Sequence, residues 1–236
     1  MKKWILVNLI FIFLLSSCQG LSFPRAQNDE NAALSKTEPT TGESSSLTAQ
    51  PTATRDPLGE RFRIKNYYLN APKDWFFTVV NEERMLGWVF TPTDPQLMAD
   101  QGLKDWSAIL WLVTPLPSGV NAEQMRAQMF ENIDAYGDDE LQAALLPAQQ
   151  TGIIELLDEP VLLVDAEIVQ WGGLETIHLE GDILFDVDGV VEQVDVSVYL
   201  TWNAEEFISF YQFSDQSLTD SLTPAFLSSR ESLKVP

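Results

Sequence analysis

The sequence has very few of the residues that nucleophilic, zinc-dependent and phosphate-binding sites require. Its 236 residues include one cysteine, Cys18, and one histidine, His178. A single cysteine forms no intramolecular disulfide, and a zinc site built from cysteine and histidine lacks ligands. Gly172-Gly173 stands outside any GxGxxG or Walker pattern, so no glycine-rich phosphate loop is predicted. We therefore expect no cofactor and no bound metal ion.

Positive charge is absent from a long part of the chain. Between Ala127 and Ser229 there is no lysine or arginine, whereas the same segment holds 21 aspartate and glutamate residues. A field of this sign repels nucleic acid and attracts cations or a basic protein. We therefore expect no nucleic-acid partner and consider a protein partner with a basic surface. The simpler explanation of the acidic segment is that its charges only keep the protein soluble. Upstream, Arg61, Arg63 and Lys65 alternate and would share one face of a strand.

The first 18 residues have the pattern of a secretion signal. Lys2 and Lys3 precede a mostly apolar run that is shorter than the roughly 20 residues a membrane-spanning helix needs. Leu15-Ser16-Ser17-Cys18 then resembles the lipobox of bacterial lipoproteins, in which the cysteine sulfur is acylated and a signal peptidase cuts before it. The resemblance implies a signal peptide over residues 1–17, lipidation at Cys18 with acyl chains such as palmitate, and the extracytoplasmic face of the cell membrane as location.

The residues after Cys18 divide into a tether and a folded domain. Removal of the signal peptide would take away Lys2 and Lys3, leaving 12 basic and 35 acidic residues and a formal charge of −23. Residues 18–58 are rich in serine, threonine and proline and hold few large apolar side chains, which predicts a disordered tether. Residues 59–236 are predicted to form one globular domain, which is long enough to bury a sizeable core.

Hydrophobic periodicity predicts many strands and two helices in this domain. A helix begins after Asn121, which can cap it with Gln124, and stops at Tyr136-Gly137. A second helix is predicted to be capped by Thr223 with Pro224 at its first position. The Asp188-Gly189 pair predicts a two-residue hairpin turn between long strands. The predicted strands cover residues 62–69, 75–80, 87–91, 106–114, 153–157, 161–170, 174–187, 190–202 and 207–213.

Two short segments carry a further resemblance. Pro72-Lys73-Asp74-Trp75 after a strand resembles the P-x-x-W turn that opens many PsbP-like and DcrB-like domains, and Ser232-Leu233-Lys234 resembles their ending. The resemblance implies an α+β fold: an antiparallel β-sheet flanked by helices on both faces, as in the PsbP-like α/β/α sandwich. Members of that family are mostly binding or assembly accessories. The resemblance carries no binding residue over to this sequence.

Few residues qualify as candidates for chemistry. His178 is the only residue that could serve a serine-type triad, and its strand pattern predicts a partly exposed, non-catalytic side chain. Asp186 and Asp188 are reminiscent of a calcium loop, but Ser197 stands where position 12 of that loop needs glutamate. Strand patterns place most tryptophans, including Trp75, in the core, whereas Trp171 beside Gly172-Gly173 is the candidate for an exposed ring.

The leading hypothesis is a lipid-anchored, extracytoplasmic binding or assembly accessory module of the cell envelope, and not an enzyme. The alternatives are a cation- or small-ligand-binding lipoprotein that uses its acidic surface, and a carboxylate-based envelope hydrolase. A deep pocket that holds two close carboxylates would favour the hydrolase. A flat, acidic sheet face would favour the partner-binding module.

The lipobox generates the first testable prediction. Cys18→Ser removes the sulfur that would be acylated, so the variant should incorporate no labelled fatty acid and should keep its signal peptide. Metabolic labelling and the mobility of the protein on a gel measure both effects. A variant that is still cut and labelled would contradict the assignment.

Overall fold

The computed structural model describes residues 58–82, 84–94, 107–151, 160–187 and 190–235. The signal peptide, Cys18 and the tether up to residue 57 therefore lie outside the described residues. The predicted strand at 153–157 and the Asp188-Gly189 turn lie outside them as well. Within the described part, no helix is long and apolar enough to cross a membrane.

A seven-stranded antiparallel sheet forms the centre of the fold. Its strands are ordered β3-β4-β5-β9-β8-β7-β6 in space, and every neighbouring pair is antiparallel. A separate two-stranded ribbon is made of β1 and β2. The strands are β1 (Leu58–Ile64), β2 (Tyr67–Pro72), β3 (Phe76–Glu82), β4 (Met85–Thr91), β5 (Ser107–Pro115), β6 (Val161–Trp171), β7 (Leu174–Val187), β8 (Val190–Trp202) and β9 (Glu206–Asp215).

Helices cover both faces of this sheet. On one face lie α1 (Ala122–Glu131), a 3₁₀ turn (Ile133–Ala135) and α2 (Asp138–Gln150), and their apolar residues share one core with the sheet. On the other face lie the β1–β2 ribbon and α3 (Thr219–Glu231), which share a second core with it. The predicted α+β class, an antiparallel sheet with helices on both faces, is confirmed.

Burial follows the strand patterns closely. Strand β5 is buried on both sides because Leu110 and Leu112 face the α1–α2 core, whereas Ile109 and Trp111 face the ribbon. In β8 the side chains of Val194, Val196 and Val198 are buried, while those of Gln193, Asp195 and Ser197 between them are partly exposed. The predicted hairpin is confirmed by its register, since Val187 pairs with Val190.

The start of the domain differs from the prediction. Instead of one strand over residues 62–69, β1 and β2 form a hairpin that turns at Lys65, whose φ is 50°. Arg61 and Arg63 do share an outer face, where both guanidinium groups lie over the ring of Tyr68. Lys65 leaves that face and pairs with Glu206. The turn contains no glycine or proline, and its one turn-favouring residue, Asn66, does not stand out within the alternating pattern of the two strands.

Helix α2 was not predicted. Leu141, Ala144, Leu145 and Ala148 lie at helical spacing and are buried on the sheet. The Glu140 side chain accepts a hydrogen bond of 2.8 Å from the backbone N–H of Gly137, which caps the helix. Pro147, which normally disfavours a helix interior, lies inside it near the C-terminal end. Packing on the sheet outweighs that local preference.

The last helix begins earlier than predicted. It starts at Thr219, so Thr223 and Pro224 lie inside it rather than at its cap and first position. The Thr223 hydroxyl donates to the Thr219 carbonyl oxygen at 2.7 Å, one turn earlier, as in a helix interior. The far end of α3 is fixed to β2, because the Ser229 hydroxyl donates to the Asn70 carbonyl oxygen at 2.7 Å.

The prediction that Trp75 is a core residue holds only in part. Its ring is half-buried and meets the ring of Phe226 edge to face, with 5.8 Å between the centroids. The preceding residue, Asp74, has a φ of 64°, so the chain reverses sharply before β3. The tryptophan ring therefore packs against Phe226 of α3 on one side and keeps its other side in solvent.

The packing of α2 on the sheet yields a stability prediction. Leu141 is fully buried in the α1–α2 core. Leu141→Ala should lower the free energy of unfolding by about 2–5 kcal/mol, because it leaves a cavity between α2 and β7. Urea unfolding followed by tryptophan fluorescence measures this. Leu162→Ala, at a side chain that is 46% exposed, is the control and should change stability by about 0.5 kcal/mol or less.

Candidate functional site

A cleft of about 310 Å³ lies between α3 and the sheet face formed by β7, β8 and β9. It exists because the polar side chains of β7 and β8 point to the α3 side of the sheet, where the helix covers them only in part. Strand β7 contributes Glu180 and Asp182, β8 contributes Asp195 and Ser197, and β9 contributes Gln212. We call this space the acidic cleft.

Two carboxyl groups meet on the floor of the acidic cleft. Asp182 and Asp195 are directly opposed in the β7–β8 register and face the same side of the sheet, so their carboxyl groups lie close together. The Thr219 hydroxyl, at the start of α3, donates a hydrogen bond to Oδ2 of Asp195.

The surroundings of Asp195 favour its protonated form. Burial raises the pKa of Asp195, and the negative charges of Asp182 and Asp215 raise it further. The hydrogen bond from Thr219 acts in the opposite direction without cancelling these effects. Carboxyl groups with raised pKa values in a cleft are typical of functional sites.

A buried amide lines the same cleft. Gln212 on β9 lies directly opposite Ser197 on β8 and is 8% exposed. Its Nε2 atom is buried and has no hydrogen-bond partner among the described residues. Buried side-chain donors are nearly always satisfied in folded proteins, so an unpaired one in a cleft indicates a missing partner.

The nearest cation of the cleft is already engaged. The Arg230 guanidinium lies over the Tyr199 ring at 4.7 Å from its centroid and donates a hydrogen bond to the Tyr199 hydroxyl. Tyr199 in turn stacks on His178, with 4.2 Å between the ring centroids. Arg230 is therefore held beside the acidic floor by an aromatic pair rather than by a carboxylate.

His178 is buried, which corrects the prediction of a partly exposed side chain. It is 6% exposed, its Nδ1 atom is 3.1 Å from Oε1 of Glu167, and its Nε2 atom is 2.8 Å from Oγ of Ser197. The order of contacts is that of a Ser–His–acid triad. However, Nε2 also lies 3.5 Å from Glu180, and Ser197 sits in the middle of a strand instead of on an exposed turn. The contacts of His178 arise because these side chains are neighbours on the adjacent strands β6, β7 and β8.

Trp171 is not an exposed platform. It is 3% exposed, and its Nε1 atom donates to the Arg230 carbonyl oxygen at 2.8 Å. It therefore fixes the C-terminal end of α3 to the turn that Gly172 and Gly173 make with φ values of 60° and 84°. The candidate for an exposed ring is therefore a core residue, whose ring packs against Tyr199 and Phe210.

Metal ligands do not converge in the described part of the chain. It holds no group of three or more histidine, cysteine, aspartate or glutamate side chains that could bind a metal ion. The side chains of Asp186 and Asp188 lie outside the described residues. Calcium needs six to eight oxygen ligands, and the pair in the acidic cleft supplies only two carboxyl groups.

Comparisons with known proteins give remote likenesses only. No family model matches the chain, and no curated protein matches it. Among solved structures, cyanobacterial PsbP (CyanoP) from Synechocystis sp. PCC 6803 is similar, with 17% identity, 80% of this chain and 99% of that chain covered, and a TM-score of 0.46. LpqN, involved in cell envelope biogenesis of Mycobacterium tuberculosis, has 17% identity, 71% and 82% coverage and a TM-score of 0.42.

A third similar structure is a protein of unknown function, PA94 from Pseudomonas aeruginosa. The two chains are 10% identical, the match covers 75% of this chain and 96% of PA94, and the TM-score is 0.38. CyanoP belongs to the family that the Pro72–Trp75 turn resembles. Likenesses at these values assign neither an activity nor a site residue to this chain.

The electrostatics of Asp195 predict a pH-dependent effect on stability. Because the folded state binds a proton at this raised-pKa carboxyl more tightly than the unfolded state does, ionised Asp195 weakens the fold at neutral pH. The penalty disappears as the pH falls through the folded pKa. Asp195→Asn should therefore be more stable than the wild type at pH 7, and the difference should shrink towards pH 4.

Urea unfolding at several pH values measures this difference. Asp134→Asn, at an exposed residue after α1, removes the same charge and is the control. An Asp195→Asn variant that is less stable than the wild type at pH 7, or that shows the pH trend of the control, would contradict the argument.

Proposed function

We propose that the chain is a lipid-anchored binding or assembly accessory module outside the cytoplasm, without enzymatic activity, and that it holds a positively charged protein partner at the acidic cleft. The observation that carries this proposal is the Asp182–Asp195 pair, which lies in an open cleft and forms no ion pair with another described residue. Among the described residues that line the cleft, Arg230 is the basic one, and it is bound to Tyr199 instead.

Electrostatics favour a basic partner over other ligands. Two opposed carboxyl groups repel each other when both are ionised, so a cation between them relieves the repulsion as well as forming its own contacts. The wider field points the same way, because no lysine or arginine occurs between Ala127 and Ser229. Such a field accelerates encounter with a basic surface and is screened by salt.

The tether fits the proposed role of an accessory module. A lipid at Cys18 would hold the domain at the membrane, and a coil of about 40 residues reaches roughly 35 Å. The domain could then search for a partner near the membrane surface without leaving it. Anionic headgroups would repel the acidic cleft, so the cleft would turn towards envelope components rather than towards the bilayer.

A carboxylate-based hydrolase is the second candidate, since two carboxyl groups close together carry acid–base catalysis in aspartic proteases. It requires both groups to act on a bound water. In this cleft the Thr219 hydroxyl already occupies Oδ2 of Asp195. A binding role requires only the negative charge of the two carboxyl groups and no bound water held between them. The observed geometry therefore fits binding better than hydrolysis.

The proposal is tested with a fluorescein-labelled peptide of alternating lysine and glycine and the mature chain in detergent. Fluorescence anisotropy should show binding that weakens as NaCl rises from 20 to 300 mM. Asp182→Asn/Asp195→Asn should weaken binding at least tenfold, because it removes the charge pair and keeps the shape of the cleft.

The matched control is Glu131→Gln/Asp134→Asn, which removes two charges from exposed positions at the end of α1. It should change binding less than twofold. If both double variants weaken binding equally, only the overall charge acts and the cleft is not the site. Hydrolysis of the peptide by the wild type, lost in Asp182→Asn, would favour the hydrolase instead.

A further inference from the structure

The acidic cleft combines three features that select one kind of positively charged group. We infer, on the basis of the proposed function, that the cleft receives an alkylammonium group whose carrier also presents a hydrogen-bond acceptor a few ångströms away. A lysine residue of a polypeptide has this chemistry, and so does a free amino alcohol. The inference depends on the acid pair, the unpaired amide of Gln212 and an apolar wall.

The acid pair suits a compact cation better than a planar one. A guanidinium group is recognised best when both oxygens of one carboxylate accept two parallel hydrogen bonds. At Asp195 that arrangement is obstructed, because the Thr219 hydroxyl bonds to Oδ2 and Asp182 stands directly opposite on β7. An ammonium group has three donors that point in different directions, so it can bond to both carboxylates at once.

The unpaired amide requires an acceptor on the ligand. Nε2 of Gln212 is buried and without a hydrogen-bond partner in the described residues. Gln212 pairs with Ser197, two residues along β8 from Asp195, so the amide lies diagonally across from the acid pair. Diagonal positions on neighbouring strands are about 7–8 Å apart. A bare metal ion or a plain alkylamine leaves this donor unpaired, whereas a hydroxyl or carbonyl oxygen satisfies it.

Apolar side chains complete the cleft. Val164 on β6 and Leu227 on α3 both line it and are 67% and 39% exposed, and Phe226 lies beside them. Solvent-exposed aliphatic groups beside an acid pair match the methylene stem of a lysine side chain, which packs on apolar surface while its charge reaches polar partners. The cleft thus offers the acid pair to the ammonium group of the ligand, the apolar side chains to its methylene stem and the Gln212 amide to its hydrogen-bond acceptor.

Blocked tripeptides test the inference on the mature chain. Isothermal titration should detect acetyl-Ala-Lys-Ala-amide, and the matched arginine tripeptide should bind at least fivefold more weakly. The norleucine tripeptide, which lacks the charge, should not bind. Ethanolamine and butylammonium form a second arm: ethanolamine binding as tightly as the lysine tripeptide would assign a small amine as the ligand, and weaker binding would assign a polypeptide lysine.

The amide is tested separately. Gln212→Met keeps the length of the side chain and removes the donor, so it should weaken binding of the lysine tripeptide about three- to tenfold. Gln128→Met, the same change on the exposed face of α1, is the control and should have no effect. Gln212→Leu serves as a second variant if Gln212→Met unfolds at a lower urea concentration than the wild type.

The outcomes separate this inference from the proposed function. Equal binding of the arginine and lysine tripeptides, or unchanged binding by the Gln212 variants, overturns the inference. If the lysine–glycine peptide still binds in a manner that depends on Asp182 and Asp195, the proposed function stands without it. If that longer peptide does not bind either, both are wrong.

Discussion

The pairing of β7 with β8 determines which polar groups can meet in this fold. Two residues separate the strands in the sequence, and the register runs without interruption from Val187 and Val190 down to Ile177 and Leu200. Every second pair faces α3, so Asp182 meets Asp195 and His178 meets Tyr199. A slip of one residue would turn these polar side chains into the α1–α2 core, which explains why the hydrophobic alternation of β8 also fixes the acid pair.

The elements that cover the two faces of the sheet leave different amounts of polar surface open. Helices α1 and α2 bury aliphatic residues over a broad area, including Leu141 and Leu145, and leave little polar surface beneath them. The other face is covered by a ribbon and a single helix, α3, which is fixed at its C-terminal end by Trp171 and Ser229. Near the start of α3, at Thr219, the polar face of β7 and β8 is left partly open. The acidic cleft lies at this position because α3 covers the polar face of β7 and β8 only in part.

Much of this arrangement could be predicted from the sequence, and the remainder has physical reasons. Once Asp188-Gly189 is taken as a two-residue turn, counting outward along both strands places Asp182 opposite Asp195. The register with β9, which brings in Gln212, and the position of α3 depend on packing between distant segments. The turn at Lys65 was missed although Asn66 favours a turn, because the flanking strands read as one alternating segment. The helix after Gly137 was missed although its first turn is acidic, because Pro147 argues against a helix.

Nuclear magnetic resonance can test directly whether a positively charged group is held between Asp182 and Asp195. A ¹⁵N-labelled mature chain is titrated with the lysine tripeptide while the backbone and side-chain amide signals are followed. The account predicts shifts at residues 180–182 and 195–197 and at the Gln212 side-chain amide, with the signals of α1 and α2 unmoved. Shifts spread over the exposed acidic residues of α1 and α2, with the Gln212 amide unchanged, would contradict it.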